Sequence, residues 1–306
     1  MRLLVVGAGS TGGYFGGRLA KAGRDVTFLV RRNRAENIRA NGLNIISPHG
    51  DFSVAPKLVM AEELDSTFDA VLLTVKAFSL AAALDDVAPA IGPETMILPV
   101  LNGMRHMDVL AERFGKKAVL GGVCKIPATL DGEGRVVQLG TFHDLVYGEL
   151  DGSLSRRVRV LDDFMQGAGF DARLSQAITR EMWEKWIMLA SLGAITCLMR
   201  GNVGQIEAAP GGLDFIRGVL DEVVAIVRAV GEPPSEAVLA SAEAMLTTKG
   251  SPLTASMYRD MQQGGAIEAD QILGDLVARG RKAGLSMPLL STAYANLWVY
   301  QQQARQ

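Results

Sequence analysis

The sequence is poor in the residues that build metal centres and disulfide frameworks. It has only two cysteines, Cys124 and Cys197, and three histidines, His49, His106 and His143, in 306 residues. The cysteines lie far apart within apolar segments, which indicates buried, reduced thiols rather than a disulfide. The histidines are too scattered to form a ligand set. We therefore expect no bound metal and a cytoplasmic location.

A strong charge of one sign and long apolar runs are also missing. The chain carries 31 Lys and Arg against 33 Asp and Glu, so its composition favours neither nucleic acid nor an anionic membrane as a partner. No apolar run reaches the roughly 18 residues of a membrane span, and the apolar start at residues 3–6 leads directly into glycines, so no signal peptide is predicted. The length and the 48% of hydrophobic residues suffice for two domains with cores of their own.

What the chain does have is a glycine-rich turn between an apolar strand and a helix. A G-x-G-x-x-G motif follows the predicted strand at residues 3–6 and precedes a predicted helix at 14–22. Its glycines permit a sharp turn, a close approach of backbone amides to a pyrophosphate, and packing of helix on strand. The alternative is an ordinary tight turn. The predicted dinucleotide-binding residues are Gly7, Gly9, Ser10, Thr11 and Gly12.

The end of the second predicted strand indicates which dinucleotide is bound. Chains that bind NAD usually place an acidic residue there, but this chain places Arg31 and Arg32 after the strand at residues 25–30. Arginine fits the 2′-phosphate of NADP(H), so we predict NADP(H) as the cofactor, with Arg31 as the main contact. Arg32 is either a second contact or a solvated charge, and an ordinary surface pair is the alternative for both.

Strand and helix signals alternate through residues 1–100, which predicts an α/β fold with a doubly wound, Rossmann-type parallel sheet. β-like runs at 118–128, 136–139 and 145–147 are expected to extend the same sheet. From about residue 176 only amphipathic helical patterns remain. We predict an NADP-binding domain over residues 1–175 and an all-helical substrate domain over residues 176–306.

Proline and glycine mark the predicted helix ends of the second domain. Pro252 and Pro288 are expected at the first position of a helix, and Gly231 and Gly284 where helices stop.

Polar residues that follow apolar strands are candidates for chemistry. Lys76 follows the predicted strand at 71–75, and Asn102 follows the one at 96–101. Both are expected at the carboxyl edge of the sheet, where ligands bind in such folds. The alternatives are a solvated lysine and a plain Asn-Gly turn.

Lys185 lies in a stretch that is apolar nearly all round and is expected to be largely buried. Its ammonium group could polarise a substrate carbonyl and then protonate the alkoxide, and desolvation would lower its pKa toward the working range. Alternatively, the side chain reaches the surface or pairs with Glu181. Either Glu268 or Asp270 could hold substrate or the lysine; the alternative is a favourable acid at a helix N-terminus.

These segments together resemble the ketopantoate reductase (2-dehydropantoate 2-reductase) family over essentially the whole length. That family reduces the C2 ketone of ketopantoate to D-pantoate with NADPH, in pantothenate biosynthesis. The resemblance implies a helical C-terminal domain like that of 6-phosphogluconate dehydrogenase and a small 2-oxo acid as substrate. The motifs that carry it are GAGSTGG with Arg31, TVKAF, LNGM, the WEKW segment around Lys185, SMYRDM at 256–261, and IEADQILGDLVARGRKAGLSMP at 267–288.

The resemblance also implies roles for individual residues. Lys185 would be the general acid, Glu268 would bind the substrate hydroxyl, and Asn102 would orient lysine and substrate and contact the cofactor. Ser256 would contact the carboxylate side of the substrate, and Lys76 would lie near the nicotinamide. The apolar faces of the helical domain are compatible with a homodimer or a monomer.

The chain departs from the family pattern at three positions. Family members carry asparagines four and eight residues after the lysine, where this chain has Leu189 and Gly193, and the asparagine five residues after the glutamate is Leu273. The lost amide groups predict a less polar pocket, and each missing partner of a buried polar group costs roughly 1–3 kcal/mol. The preferred substrate is therefore either ketopantoate or a related 2-oxo acid.

Two other functions are compatible with parts of the sequence. An opine-type or imine dehydrogenase would need a larger cleft, which Gly193 would permit. A non-enzymatic NADP(H) sensor would use the glycines and arginines but not Lys185, Glu268, Asn102 and Ser256 together. The co-occurrence of these four residues favours an enzyme.

Overall fold

In a computed structural model of the chain, residues 1–304 are described. They divide into two compact units. The first contains Met1–Leu101 and His106–Ile178, and the second contains Asn102–Arg105 together with the chain from Thr179 onward. The short segment 102–105 thus groups with the second unit, which the sequence did not indicate. The assignment of functional domains to 1–175 and 176–306 stays a prediction.

Strands and helices alternate in the first unit. Its strands are β1 (Arg2–Val6), β2 (Asp25–Leu29), β3 (Leu43–Ile46), β4 (Phe52–Val54), β5 (Lys57–Val59), β6 (Ala70–Leu73), β7 (Met96–Pro99), β8 (Gly121–Lys125), β9 (Ala128–Leu130), β10 (Val136–Gln138), β11 (Asp144–Gly148) and β12 (Asp171–Leu174). Its helices are α1 (Ser10–Lys21), α2 (Arg32–Asn41), α3 (Leu80–Val87), α4 (Arg105–Phe114) and α5 (Arg156–Met165).

The central sheet confirms the predicted Rossmann-type architecture. Five parallel strands lie in the order β5-β2-β1-β6-β7, with β1 in the middle. All residues of β6 and β7, and all but the first of β1, are buried, as is typical of parallel strands covered on both faces. The carboxyl ends of β2, β1 and β6 therefore lie side by side.

Apart from one parallel bridge between Val119 and Ile97 of β7, the later segments do not extend this sheet, so that expectation was wrong for their strands. β9 and β10 join β3 and β4 in a separate four-stranded sheet, while β8, β11 and β12 form a three-stranded one. The reason lies in tertiary packing, because the four-stranded sheet packs on α1. A Cβ on Gly13 would lie 2.8 Å from Val136 Cγ2 of β10, and one on Gly17 would lie 2.9 Å from Ile45 Cδ1 of β3. Glycines on α1 thus allow a second sheet to cover the helix.

The second unit is helical, as predicted. Its helices are α6 (Ile178–Met199), α7 (Val203–Glu207), α8 (Gly212–Val230), α9 (Glu236–Leu246), α10 (Ser256–Gln262), a π-helical turn (Asp270–Gly274), α11 (Asp275–Lys282) and α12 (Pro288–Gln303). Pro288 begins α12 and Gly231 follows α8, as expected. No helix within residues 1–304 is both long and apolar enough to cross a membrane.

Pro252 does not start a helix, contrary to expectation. α10 begins only at Ser256, because the residues around Pro252 instead receive the N-terminus of α7. The amide of Gly204 donates to Ser251 O at 2.8 Å, and the amide of Val203 donates to Leu253 O at 3.0 Å. These bonds satisfy amide groups that a helix start leaves without intrahelical partners.

The two cysteines are buried and are not joined by a disulfide. Burial raises the pKa of the Cys197 thiol to about 12, so this group remains a thiol at neutral pH.

Candidate active-site residues in the two units

The glycine turn of the first unit is built as the motif predicts. Gly7 has a φ of +95°, a region that favours glycine, and its amide donates to Leu29 O at 3.0 Å on the adjacent strand. Gly9 precedes α1, and a Cβ built on it would meet nothing within 4 Å. The space beside Gly9 is therefore open to a ligand, next to the first amides of α1.

Thr74 fixes this turn and was missed in the sequence. Its hydroxyl lies 2.8 Å from Val6 O and 3.0 Å from Gly7 O, and can donate to either. A Cβ on Gly12 would overlap both Gly7 O and Thr74 Oγ1. The third glycine is thus required by contact with the end of β6, where the TVKAF motif begins.

Ser10 and Thr11 form the first turn of α1 and are partly exposed. No side chain caps this helix, and its first turn contains no acidic residue. The amide groups at the start of α1 can therefore receive a phosphate, with the positive end of the helix dipole toward it.

Arg31 and Arg32 lie at the start of α2, directly after β2, and both are exposed. Arg32 Nη2 is 3.7 Å from Glu62 Oε1, an ion pair between two exposed side chains. Such pairs contribute little to stability, so both guanidinium groups can reach an anion at this edge. Lys76 is also exposed, just after β6 on the other side of β1.

Arg34 is a further basic residue at this edge, which the sequence reasoning missed. Its Nε donates to Ala8 O within the glycine turn at 2.9 Å, and its Nη1 donates to Gly134 O at 2.7 Å. Burial lowers the pKa of Arg34, and its Nη2 is buried without a hydrogen-bond partner in residues 1–304. In the sequence, Arg34 could have been recognised as the third arginine of the R-R-N-R run that follows β2.

In the second unit, Lys185 lies on the apolar helix α6. Trp183 and Trp186, on either side of it in the chain, are buried, whereas Lys185 itself is half-buried rather than largely buried as expected. Arg279 lies 5.9 Å from the centroid of each tryptophan ring, which ties α6 to α11.

Two of the three departures from the family pattern, Leu189 and Gly193, lie on the same face of α6 as Lys185, since residues four and eight positions on are neighbours along a helix. The third, Leu273, is fully buried in the π-helical turn. Gly193 is buried, and a Cβ on it would lie 3.0 Å from Met257 Cε. Met257 is 2% exposed and follows Ser256, the exposed first residue of α10. An apolar methyl group thus occupies the space beside Gly193.

The two candidate carboxylates differ in their contacts. Asp270 accepts a hydrogen bond from Tyr294 Oη at 2.7 Å and another from Gln301 Nε2 at 3.2 Å, so both its oxygens bind α12. Burial and the bond to Asp270 raise the pKa of Tyr294 to about 12. Glu268 is 9% exposed and lies two residues before the first residue of the π-helical turn. Asp270 therefore binds α12, and the assignment of Glu268 to the substrate stays a prediction.

Asn102 is half-buried and belongs to the second unit. Its carbonyl oxygen accepts a hydrogen bond from Gln271 Nε2 at 3.0 Å. The structure thus brings Asn102 and Glu268 to one region of the helical unit. It places Lys76, the glycines and the arginines in the other unit.

Comparison with known proteins covers both units. A family model described as "Ketopantoate reductase PanE/ApbA" matches residues 3–152, and one described as "Ketopantoate reductase PanE/ApbA C terminal" matches residues 177–301. The chain is 37% identical over 301 residues to an uncharacterized oxidoreductase of Bacillus subtilis, covering 98% of this chain and 99% of that one.

Proteins named 2-dehydropantoate 2-reductase match this chain at lower sequence identity. A 2-dehydropantoate 2-reductase of Streptococcus pyogenes is 26% identical over 292 residues, 94% of each chain. The crystal structure of 2-dehydropantoate 2-reductase from Geobacter metallireducens is similar with a TM-score of 0.87 and 28% identity, covering 99% of this chain and 100% of that one.

Proposed function

We propose a function for this chain from one premise: it belongs to the ketopantoate reductase family. The chain is accordingly an oxidoreductase of the ketopantoate reductase type, and that family is nicotinamide-dependent. Our proposal is that it uses NADPH to reduce a 2-oxo acid whose side chain is apolar to the corresponding 2-hydroxy acid.

The first unit fits a dinucleotide by its shape. The open space at Gly9, the uncapped start of α1 and the close contact of Gly12 with Thr74 are the features that a pyrophosphate needs at this edge. Gly7, Gly9, Ser10, Thr11 and Gly12 would hold the pyrophosphate. Arg31 would bind the 2′-phosphate, with Arg32 as a weaker second contact, and Lys76 and Asn102 would contact the nicotinamide side.

Bound NADPH supplies the hydride that C2 of the 2-oxo acid accepts. The residues of this chain have the remaining tasks. Lys185 donates a proton to the oxygen that becomes the hydroxyl, Glu268 accepts a hydrogen bond from that hydroxyl, and Ser256 contacts the substrate carboxylate. Asn102 orients the lysine and the substrate. The observation that carries the proposal is a half-buried lysine between two buried tryptophans, at the start of the long apolar stretch of α6.

The face of α6 that follows Lys185 supports the substrate class. Leu189 and Gly193, with Met257 Cε against the glycine, offer no hydrogen-bonding side chain to a substrate hydroxyl. A substrate that carries a second hydroxyl would lose its hydrogen bonds to water there without replacement. This favours a 2-oxo acid with an alkyl group beyond C2 over ketopantoate.

A matched pair of substrates tests this proposal. Trimethylpyruvate is ketopantoate without its hydroxyl group, so the ratio of their kcat/KM values, measured by NADPH oxidation, isolates the contribution of that hydroxyl. We expect trimethylpyruvate to be preferred by about 10-fold or more, and Leu189→Asn to reduce this preference. A kcat/KM for ketopantoate of about 10⁴ M⁻¹s⁻¹ or higher, equal to that for trimethylpyruvate, contradicts the substrate class.

The reaction itself is tested at the lysine. Lys185→Met should lower kcat by about 10²- to 10⁴-fold, because a general acid contributes that much, while NADPH binding is retained. Lys249→Met is the matched control, since Lys249 is an exposed lysine of the same unit. Activity that survives Lys185→Met removes the lysine from this role. Binding of NADPH without reduction of any 2-oxo or imino acid would instead favour the sensor.

The cytoplasmic location also stays a prediction, and so does the oligomeric state, for which a homodimer and a monomer are both open. Sedimentation of the purified chain at micromolar concentration would measure the oligomeric state.

A further inference from the structure

The turn at Asn102–Gly103 is bound closely to the π-helical turn of the same unit. Gln271 Nε2 donates to Asn102 O at 3.0 Å, and Gln271 is only 6% exposed. Gly103 has a φ of +80°, and a Cβ on it would lie 2.6 Å from Gln271 O. Both the side chain and the backbone of Gln271 thus contact this turn, 169 positions away in the sequence.

The π-helical turn also contacts the segment that bears Lys185. Trp186 is fully buried, and its Nε1 donates to Ile272 O at 2.9 Å. A π-helical turn widens the helix by one residue and changes which carbonyls are bonded within it, and such turns are frequent at functional sites. The π-helical turn therefore binds the residue after Lys185, and it begins two residues after Glu268.

The burial of the Gln271 side chain indicates that its hydrogen bond matters. A buried amide side chain costs free energy unless it is hydrogen-bonded, and an apolar residue would fill the same space without that cost. One hydrogen bond of Gln271 goes to the backbone carbonyl of Asn102, in the short segment between β7 and α4. Its consequence is to hold residue 102 at a fixed place relative to the π-helical turn.

We propose that Gln271 is a positioning residue that fixes Asn102 relative to Lys185 and Glu268. This inference rests on the proposed function, because it assumes that Asn102 orients the reacting groups. Gln271 touches neither substrate nor cofactor in this role; it acts through the backbone of Asn102. Reduction of the 2-oxo acid should therefore depend on the hydrogen bond, and not only on the volume of the side chain.

The first test removes the donor and keeps the length of the side chain. In Gln271→Met, we expect kcat for the 2-oxo acid to fall by about 10- to 100-fold, since small displacements of catalytic groups cost that much. The melting temperature should change little, and the Kd for NADPH should change by a smaller factor than kcat, because Asn102 is only one of the predicted contacts to the cofactor. Gln301→Met is the matched control, because Gln301 is equally buried at 6% and donates to Asp270 Oδ2 rather than to Asn102. Its kcat should stay within about twofold of the wild-type value.

The second test uses pH, which a purely space-filling role would not involve. In Gln271→Glu, a charged carboxylate would repel Asn102 O, whereas a protonated carboxyl group can donate to it. The kcat of this variant, divided by that of the wild type, should rise as the pH is lowered. A ratio that does not change with pH, or a Gln271→Met enzyme with wild-type kcat, overturns the proposal and leaves the proposed function intact.

Hydrogen exchange distinguishes a failure of the proposed function from a failure of the positioning role. If the wild-type chain reduces no 2-oxo acid, hydrogen exchange still measures the positioning. We expect faster amide exchange in the peptide that covers residues 100–107 of Gln271→Met and unchanged exchange elsewhere in α11 and α12. Unchanged exchange at 100–107 would show that the hydrogen bond does not hold this turn, and would overturn the inference without reference to activity.

Discussion

The two units present their candidate groups in opposite ways. In the first, the groups expected to bind the cofactor are mainly backbone amides and glycines between residues 7 and 12, followed by arginines at 31 and 32. In the second, the groups expected to do chemistry are side chains at positions 102, 185, 256 and 268. The first set lies on one βαβ unit, whereas the second comes from four separate segments, two of which are bound to the π-helical turn through Asn102 and Trp186.

This difference predicts how each set responds to change. Where two backbone segments are in close contact, as in the glycine turn, an added atom must displace one of them. A set of side chains held by packing tolerates added volume where a flexible neighbour can move, but depends on each long-range contact. The following experiments compare the two.

The largest effect is expected from adding one methyl group to Gly12. A Cβ there would overlap Gly7 O and Thr74 Oγ1, so α1 must shift away from β1 and the turn must open. In Gly12→Ala we expect NADPH affinity to fall by about 100-fold, the upper end of overpacking costs of about 1–3 kcal/mol, together with a lower Tm. Fluorescence titration and thermal unfolding measure the two quantities.

Two other glycines sharpen this comparison. Gly193→Ala in the second unit meets only Met257 Cε at 3.0 Å, the end of a flexible side chain, so stability should change by less than about 1 kcal/mol. Gly9→Ala meets nothing in the protein and should leave Tm unchanged while weakening NADPH binding. An equal loss of stability in Gly12→Ala and Gly193→Ala would show that the two units tolerate an added methyl group equally.

A smaller effect is expected from the arginines that we predict to select NADPH over NADH. Arg31→Ala should raise the KM for NADPH by about 10-fold or more and leave that for NADH nearly unchanged, because a charge-assisted bond contributes about 1.5–3 kcal/mol. Arg32→Ala should have less effect, since Arg32 is already close to Glu62. Similar KM values for NADPH and NADH in the wild type would contradict the prediction that the arginines bind the 2′-phosphate.

The smallest effect concerns pH and belongs to the first unit, which contains all three histidines. His143 stacks on His49 with ring centroids 3.9 Å apart and shares a hydrogen bond of 2.8 Å with Tyr14 of α1. Burial, and then His49, lower the pKa of His143 below 6.5. Below pH 6.5 the unfolded chain therefore binds a proton that the folded chain rejects, so the free energy of unfolding decreases as the pH falls.

We expect the Tm of the wild type to fall below pH 6.5 more steeply than that of His143→Gln, whose side chain can still bond Tyr14 but does not titrate. His49→Gln should lie between the two, because His49 is only one cause of the lowered pKa. Parallel curves for the wild type and His143→Gln would assign the acid sensitivity to other groups.

Much of the fold could be predicted from the sequence. The parallel sheet, α1, β2 and the long helices α6, α8 and α12 follow from apolar periodicity and from glycine or proline at their ends. The separate sheets could not be predicted, because short strands such as β9 and β10 carry no signal for the strand with which they pair. The segment before α10 was also misassigned, because its bonds to α7 outweigh the signal of Pro252.

The glycine turn and its arginines are properties of the sequence itself: they lie on one strand-turn-helix-strand segment, where short-range sterics and hydrogen bonds determine the geometry. Only the tertiary structure decided that Asn102 belongs with the helical unit, that Asp270 binds α12, and that Gln271 and Thr74 hold their respective turns. The physical reason is that these contacts join residues far apart in the chain. A hydrogen bond or a van der Waals contact requires closeness in space, which local sequence preferences do not specify.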